Sequence, residues 1–387
     1  MKKFLALAMA GSMAFSLAAC GGNSASSSSA AGATSSATAE EAATSEITGI
    51  AQVCDVGTID DESFNQGCWE AVEAFGEANG IAVEYYLPSD DNDEERQTLI
   101  RNAINDGANT VVCVGYLYGP ALAWASEEYP DVNFIGVDMT AADIGTETIP
   151  GNVYCITYKE EQAGYLAGYA AVKDGFTELG FLGGMAVPAV IRYGYGFVQG
   201  ADAAAQEMGA NIHINYWYGG AFSGDANITA KMESWYSGGT QVVFACGGGI
   251  YTSAVEAAVK YDGKVIGVDV DQNYIGEQDV ESGKYSYNPF VTSAMKGLNE
   301  GVTDALDHVM NGTWSNIAGT NGVYGLQEGD YVGLPTAEGS WNFSTFTVEE
   351  YEAVKEQIRS GEIVVDDSSD DTVKPTVSES TTVDYQV

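Results

Sequence analysis

The sequence predicts an α/β protein of two similar lobes, each a parallel sheet with helices on both faces. Three observations predict it. Short apolar runs alternate with stretches whose apolar residues recur at helical spacing. That alternation runs to residue 137 and restarts near residue 160. The region of globular composition, 47–365, holds about 320 residues, which suits two cores better than one.

In the first half, Ile50–Val56 reads as a strand. Ser63–Asn79 reads as a helix, with Trp69, Val72 and Phe75 at helical spacing and Asn79-Gly80 as its stop. Ala82–Leu87 is a strand, Asp93–Asp106 a helix closing on Gly107, and Thr110–Val114 a strand. Pro120–Tyr129 is a helix and Asn133–Val137 a strand. The order βαβαβαβ requires crossover helices and hence a parallel sheet. The second half gives helices at Glu160–Lys173, Tyr195–Met208, Ile228–Ser237 and Tyr251–Lys260. Its strands are Glu178–Leu182, Ile212–Tyr218, Gln241–Cys246 and Lys264–Val268. A helix over Thr292–Asn311, a strand-like stretch and a last helix over Val348–Arg359 follow.

The termini differ in composition. Lys2 and Lys3 precede an apolar run, Phe4–Phe15, too short for a lasting membrane span. Leu17-Ala18-Ala19-Cys20-Gly21 resembles a bacterial lipobox, which implies a signal peptide over 1–19 and a lipidated Cys20. Residues 20–46, rich in Ser, Ala and Thr, lack the apolar mass to fold and read as a tether. The acidic tail 366–387 is expected to be disordered. The expected location is therefore the extracytoplasmic face of a cell membrane, with the lipid on Cys20 as anchor.

The net charge is −40, from 15 basic and 55 acidic residues, which excludes nucleic acid as a partner. Beyond Cys20 stand Cys54, Cys68, Cys113, Cys155 and Cys246, with no metal spacing. His213 and His308 are far apart, so no metal or cofactor is expected.

Open parallel sheets bind ligands beyond the carboxyl ends of their strands. Those positions carry Asp55, Gly115-Tyr116 and Asp138 in the first half. In the second they carry Gly183-Gly184-Met185, Trp217-Tyr218, Gly247-Gly248-Gly249 and Asp269. Phe64, Tyr193, Phe197 and Trp217 offer aromatic faces for a flat group. Asp55, Asp138 and Asp269 offer carboxylates that accept paired hydroxyl donors. Taken singly, Asp138 and Asp269 also read as helix N-caps, and Gly247–Gly249 as a tight turn. No basic cluster is present to neutralise a phosphate.

Several blocks, in order, resemble the basic membrane protein family of lipoproteins (Bmp/PnrA-like or TmpC-like), nucleoside receptors of ABC importers. They are Asp55–Gln66, Tyr129–Phe134 leading to Asp138, Gln162–Gly168, Gly183–Met185 with Pro188, Gly196-Phe197, Val265–Gln272 and Thr292–Lys296. The resemblance implies a type I periplasmic-binding fold, two doubly wound Rossmann-like lobes joined by a hinge. It implies that Phe64 and either Phe197 or Trp217 sandwich a base, and that Asp138 and Asp269 hold a ribose. Asn65 and Lys296 would add polar contacts. Gly249 belongs to a loop that departs from the family pattern, since Ile250-Tyr251 stands where Thr-Gly is usual. The expected lobes are 47–157 with about 289–322, and 158–288 with about 323–365. Crossings are expected near Thr157, Asn273 and Gly322, with an open empty state and a closed bound state.

The expected function is delivery of a nucleoside, a purine nucleoside first, to the permease of an ABC importer. Riboflavin or a sugar is the alternative cargo, and a sensor or adhesive lipoprotein the alternative role. No enzyme and no catalytic residue is expected. Asp55–Asp61 is only partly similar to the DxDPGxDD calcium loop of nucleoside hydrolases, because Val53 stands where the first acid belongs. No Gly-x-Ser-x-Gly occurs.

Overall fold

The computed structural model describes residues 47–386. The signal peptide, Cys20 and the tether lie outside the described residues. Two sheets carry the fold. The first contains β1 (Ile50–Val53), β2 (Val83–Tyr86), β3 (Thr110–Val114), β4 (Asn133–Val137), β5 (Val153–Tyr158) and β11 (Asn321–Tyr324), in the order β11-β5-β4-β3-β1-β2. All its pairings are parallel. The second contains β6 (Glu178–Gly183), β7 (Ile212–Tyr218), β8 (Val242–Cys246), β9 (Lys264–Asp269), β10 (Phe290–Lys296), β12 (Val332–Gly333) and β13 (Thr381–Tyr385). Its order is β12-β10-β9-β8-β6-β7-β13, parallel except for β10 with β12. The two orders match over six positions, with β13 added at one edge of the second, so β1–β5 and β6–β10 are the same doubly wound unit built twice. The central strands β3, β4 and β8 are wholly buried because helices cover both faces.

The helices that matter for the site are α1 (Phe64–Asn79), α5 (Glu160–Lys173), α6 (Pro188–Met208) and α10 (Leu298–Met310). Helix α10 packs on α1 beside the first sheet, in lobe 1, and α5 packs on α6 beside the second sheet, in lobe 2. The second pair meets backbone to backbone. A Cβ at Gly164 or Gly168 of α5 would lie 2.1 Å from the carbonyl oxygen of Tyr193 or Phe197. One at Gly196 or Gly200 of α6 would lie 2.1 or 1.9 Å from that of Glu161 or Tyr165. The Gly164–Gly168 block thus sets how deeply α6 seats, and with it where Tyr193 points.

The chain passes between the sheets at Lys159, at Gly297 and over 325–331. Thr157 and Gly322 lie in strands beside the first and third passages. Asn273 does not: it opens a helix of lobe 2, α9 (Asn273–Glu281), and the middle passage is at Gly297. The shift follows from β10. The sequence pattern places Phe290–Lys296 partly in a helix and in lobe 1, but it is a buried strand of the second sheet. A buried apolar run has no period to separate strand from helix. The tail expected to be disordered instead supplies β13, paired with β7.

Candidate functional site

The carboxyl ends of both sheets face one cavity between the lobes. At its floor the two units repeat one device. Asp138, just past β4, and Asp269, at the end of the equivalent β9, both have left-handed backbones, with φ 55° and 66°. Such a conformation costs an L-residue about 1–2 kcal/mol. Aspartate is among the side chains that adopt it most readily. It turns each carboxylate back across the strand ends instead of capping a helix. Neither acid is an N-cap: α4 (Ala141–Ile144) is capped by Thr140 and α9 starts after Gln272.

Lys296, the last residue of β10, stands between the acids. Its Nζ bonds Asp138 Oδ2 and lies 3.6 Å from Asp269 Oδ1 and 3.7 Å from Glu160 Oε1. Glu160 Oε2 also accepts from Arg192 Nε at 2.6 Å. Three carboxylates therefore face two cations, leaving the floor one charge negative. Burial alone would lower the Lys296 ammonium, but Asp138, Asp269 and Glu160 outweigh it and hold the group charged. Burial pushes Asp138 up to about 6 against the pull of Lys296. Asp138 Oδ1 and the Tyr193 hydroxyl are buried with no partner among the described residues. Buried polar atoms left in this way call for a partner. Both residues line the cavity.

The mouth on lobe 1 is a second acidic network. Asp61 caps α1, accepting the N–H groups of Ser63, Asn65 and Gln66 at 3.0, 3.1 and 3.1 Å. Asn65 Nδ2 donates to Asp55 Oδ1 and Asp61 Oδ2, both at 2.9 Å. Burial raises Asp55 and pushes Asp61 up to about 6 despite these donors. Gly115 leaves room for Asp55: a Cβ there would lie 3.1 Å from Asp55 Oδ2. Phe64, in the first turn of α1, and Tyr116 supply rings on this side. The Lys296 ammonium lies 4.6 Å from the Phe64 ring centre.

Lobe 2 supplies an apolar wall. Val187–Val190, where Pro188 opens α6, forms a ledge, and Phe222 from the loop after β7 stands near it. Phe222 rests on glycine: a Cβ at Gly184 would lie 2.5 Å from its ring and one at Gly247 3.0 Å. Cys246, Gly247 and Gly248 complete this side. Two further bonds join the lobes, Ser63 Oγ to Asp269 Oδ2 at 2.6 Å and Gln272 Nε2 to the Glu62 carbonyl at 2.8 Å.

Of the expected site residues, Asp55, Phe64, Asn65, Asp138, Tyr193, Asp269 and Lys296 come together in the cavity. Phe197 does not. It is wholly buried, with Phe181 and Phe244 at 6.5 and 5.5 Å, one helical turn past Tyr193. Trp217 packs on another cluster of lobe 2, under Lys231 at 5.5 Å. Gly249 sits past the lining glycines and bridges to Ser223. Sequence reasoning missed Phe222 and Asp61. A lone aromatic among glycines just beyond a strand end was the available signal for Phe222.

Cys54, Cys68, Cys113, Cys155 and Cys246 are buried and form no disulfide among the described residues. Among the described residues no His/Cys/Asp/Glu group suits a metal ion, and no helix is long and apolar enough to cross a membrane.

Three comparisons place this architecture. A nucleoside-binding protein of an ABC transporter, BmpA of Lactococcus lactis subsp. cremoris, is 29% identical over 299 residues, covering 74% of this chain and 82% of that protein. The CD4+ T-cell-stimulating antigen of Listeria monocytogenes is 31% identical over 328 residues, 82% of this chain and 87% of that one. A solved solute-binding protein of an ABC transporter system from Aeropyrum pernix K1 superposes with a TM-score of 0.70. It covers 84% of this chain and 94% of that one at 20% identity, a likeness of fold. The family model for PnrA-like substrate-binding proteins of ABC transporters matches residues 49–369, and the chain belongs to that family.

Proposed function

We propose that this protein captures a nucleoside, a purine nucleoside first, between its lobes and hands it to the permease of an ABC importer. In this reading lipid on Cys20 holds it at the extracytoplasmic face of the membrane. The carrying observation is the cavity floor. Asp138 Oδ1, beside Asp269, has no partner among the described residues, and the surrounding charge is already negative. Two adjacent hydroxyl donors, as on a ribose, satisfy such acceptors, whereas a phosphate meets carboxylates and a lysine already committed to them. Phe64 and Phe222 then supply faces for a flat base. The nucleoside-binding relative supports the same ligand class. Lobe closure over the ligand would rotate the segments at Lys159, Gly297 and 325–331, and the permease would read the closed form.

Calorimetry on protein stripped of ligand by unfolding and refolding tests this. Guanosine, inosine, adenosine, cytidine, riboflavin, ribose and a nucleoside monophosphate are titrated in turn. Micromolar or tighter binding, about −8 kcal/mol or better, is expected for a nucleoside and not for ribose or the monophosphate. Equal binding of ribose, or tighter binding of the monophosphate, overturns the proposal.

A further inference from the structure

The matched family model ends at residue 369, and β13 lies beyond it. The segment 366–386 first runs along the outer side of α6. Gln199 pairs with the backbone of Asp366 in both directions, at 2.9 and 3.0 Å. Tyr195 donates to the Asp370 carbonyl at 3.2 Å. Asp202 accepts Ser378 Oγ at 2.6 Å and its N–H at 3.1 Å. Residues 195, 199 and 202 form one stripe of the helix. The segment then enters the sheet, in register from Thr381 against Ile212 to Tyr385 against Tyr216. Gln386 N–H donates to the Tyr216 carbonyl at 2.8 Å, and its side chain bonds Asn215 and Trp235. The Tyr385 ring lies 5.0 Å from that of Tyr216, whose hydroxyl bonds Tyr218 at 2.9 Å.

These grips hold α6 and β7, two elements that lead to the cavity wall. The inner side of α6 carries Val190 and Tyr193, and β7 ends at Tyr218, just before the loop with Phe222. Among the described residues, no further strand lies beside β2, the equivalent strand of lobe 1. We propose that the C-terminal segment positions the ligand-facing wall of lobe 2, with Tyr385 and Gln386 as positioning residues that hold the end of β7 and so the Phe222 loop. The proposal rests on the cavity being the ligand site. It differs from simple protection of a sheet edge, which would stabilise lobe 2 without bearing on the ligand.

The test uses Tyr385→Ala, Asp384→Pro, which deletes a strand amide, Tyr385→Phe, and a chain ending at Asp371. Point variants carry the test if the shortened chain does not fold. Two quantities are measured: affinity and dissociation rate for the tightest nucleoside, and amide exchange over 216–223 and over 133–138 without ligand. Tyr385→Ala and Asp384→Pro are expected to weaken binding about fivefold or more through faster dissociation. They should speed exchange over 216–223 and leave 133–138 unaltered. Tyr385→Phe should restore both, because the Tyr385 hydroxyl has no partner among the described residues. Unaltered exchange over 216–223 in Tyr385→Ala, or faster exchange with unaltered affinity, overturns the proposal. If the parent protein binds no nucleoside, the ligand reading has failed, and exchange over 216–223 still decides whether the segment holds that loop.

Discussion

The two lobes share a plan and differ in what they show the ligand. Each ends its fourth strand in an aspartate with a left-handed backbone, Asp138 and Asp269. Around that common floor lobe 1 presents Asp55, Asp61 and Asn65, already hydrogen-bonded to one another. Lobe 2 presents Val187–Val190, Phe222 and two glycines. A preset polar network orients a ligand at little entropic cost, and an apolar wall adds buried area once it closes. In the proposed reading lobe 1 would select the nucleoside and lobe 2 would retain it.

The helix pairs behind the walls differ as well, and there the largest effect is expected. Gly164 and Gly168 leave no space for a side chain, because the facing atoms are backbone carbonyls. Gly67 on α1 faces the movable end of Leu298, which lies 2.9 Å from where a Cβ would stand. Gly168→Ala should cost about 3 kcal/mol or more and Gly67→Ala about 1 kcal/mol, read by denaturant unfolding. Equal costs would show that the two helix pairs tolerate strain alike.

Next come the floor acids. Asp138→Asn removes one of the three carboxylates around Lys296 and replaces one carboxylate oxygen by an NH2 donor, and should weaken nucleoside binding by about 2 kcal/mol or more. Asp55→Asn keeps its bonds to Asn65 largely in place and should cost about 1 kcal/mol. The reverse ranking would move recognition from the floor to the mouth. For the rings, Phe64→Ala and Phe222→Ala should each cost about 1–2 kcal/mol in affinity, while Trp217→Leu should cost none. An effect from Trp217 with none from Phe222 would refute the wall assigned to lobe 2.

Those rankings follow what the sequence makes legible. Asp55, Asp138 and Asp269 can be found because a parallel sheet places ligands at strand ends, whatever the loops do. Phe222 cannot be ranked, because its loop has no period and its place depends on Gly184 and Gly247, distant in sequence. Tyr193 and Phe197 are one turn apart on α6, and which one reaches the cavity depends on where the helix begins. It begins at Pro188, not at Tyr195, and the glycine contact with α5 sets its depth. The strand β10 hides in a buried run next to a true helix, with Gly297 as the only break. β13 hides in an acidic tail whose stability comes from partners on α6 and β7, not from its own composition.

The last predicted effect separates the lobes by pH. Asp61 in lobe 1 is pushed up to about 6 by burial, and Glu161 in lobe 2 to about 8 by burial and by Glu160 beside it. Both values lie above those of the unfolded chain, so the native state keeps protons that the unfolded state has released. Stability then falls as pH rises, by at most about 1.4 kcal/mol per pH unit for each group. For Asp61 the loss spans about pH 4 to 6, and for Glu161 about pH 4.5 to 8. Asp61→Asn should flatten the stability profile below pH 6 and run parallel to the parent above it. Glu161→Gln should remove about 1 kcal/mol of the decline between pH 6.5 and 7.5. Denaturant midpoints at half-unit pH steps measure both. A Glu161→Gln profile that still parallels the parent above pH 6.5 would mean that Glu161 is ionised there at no cost. The unpartnered Glu161 Oε2 would then need a donor from outside the described residues.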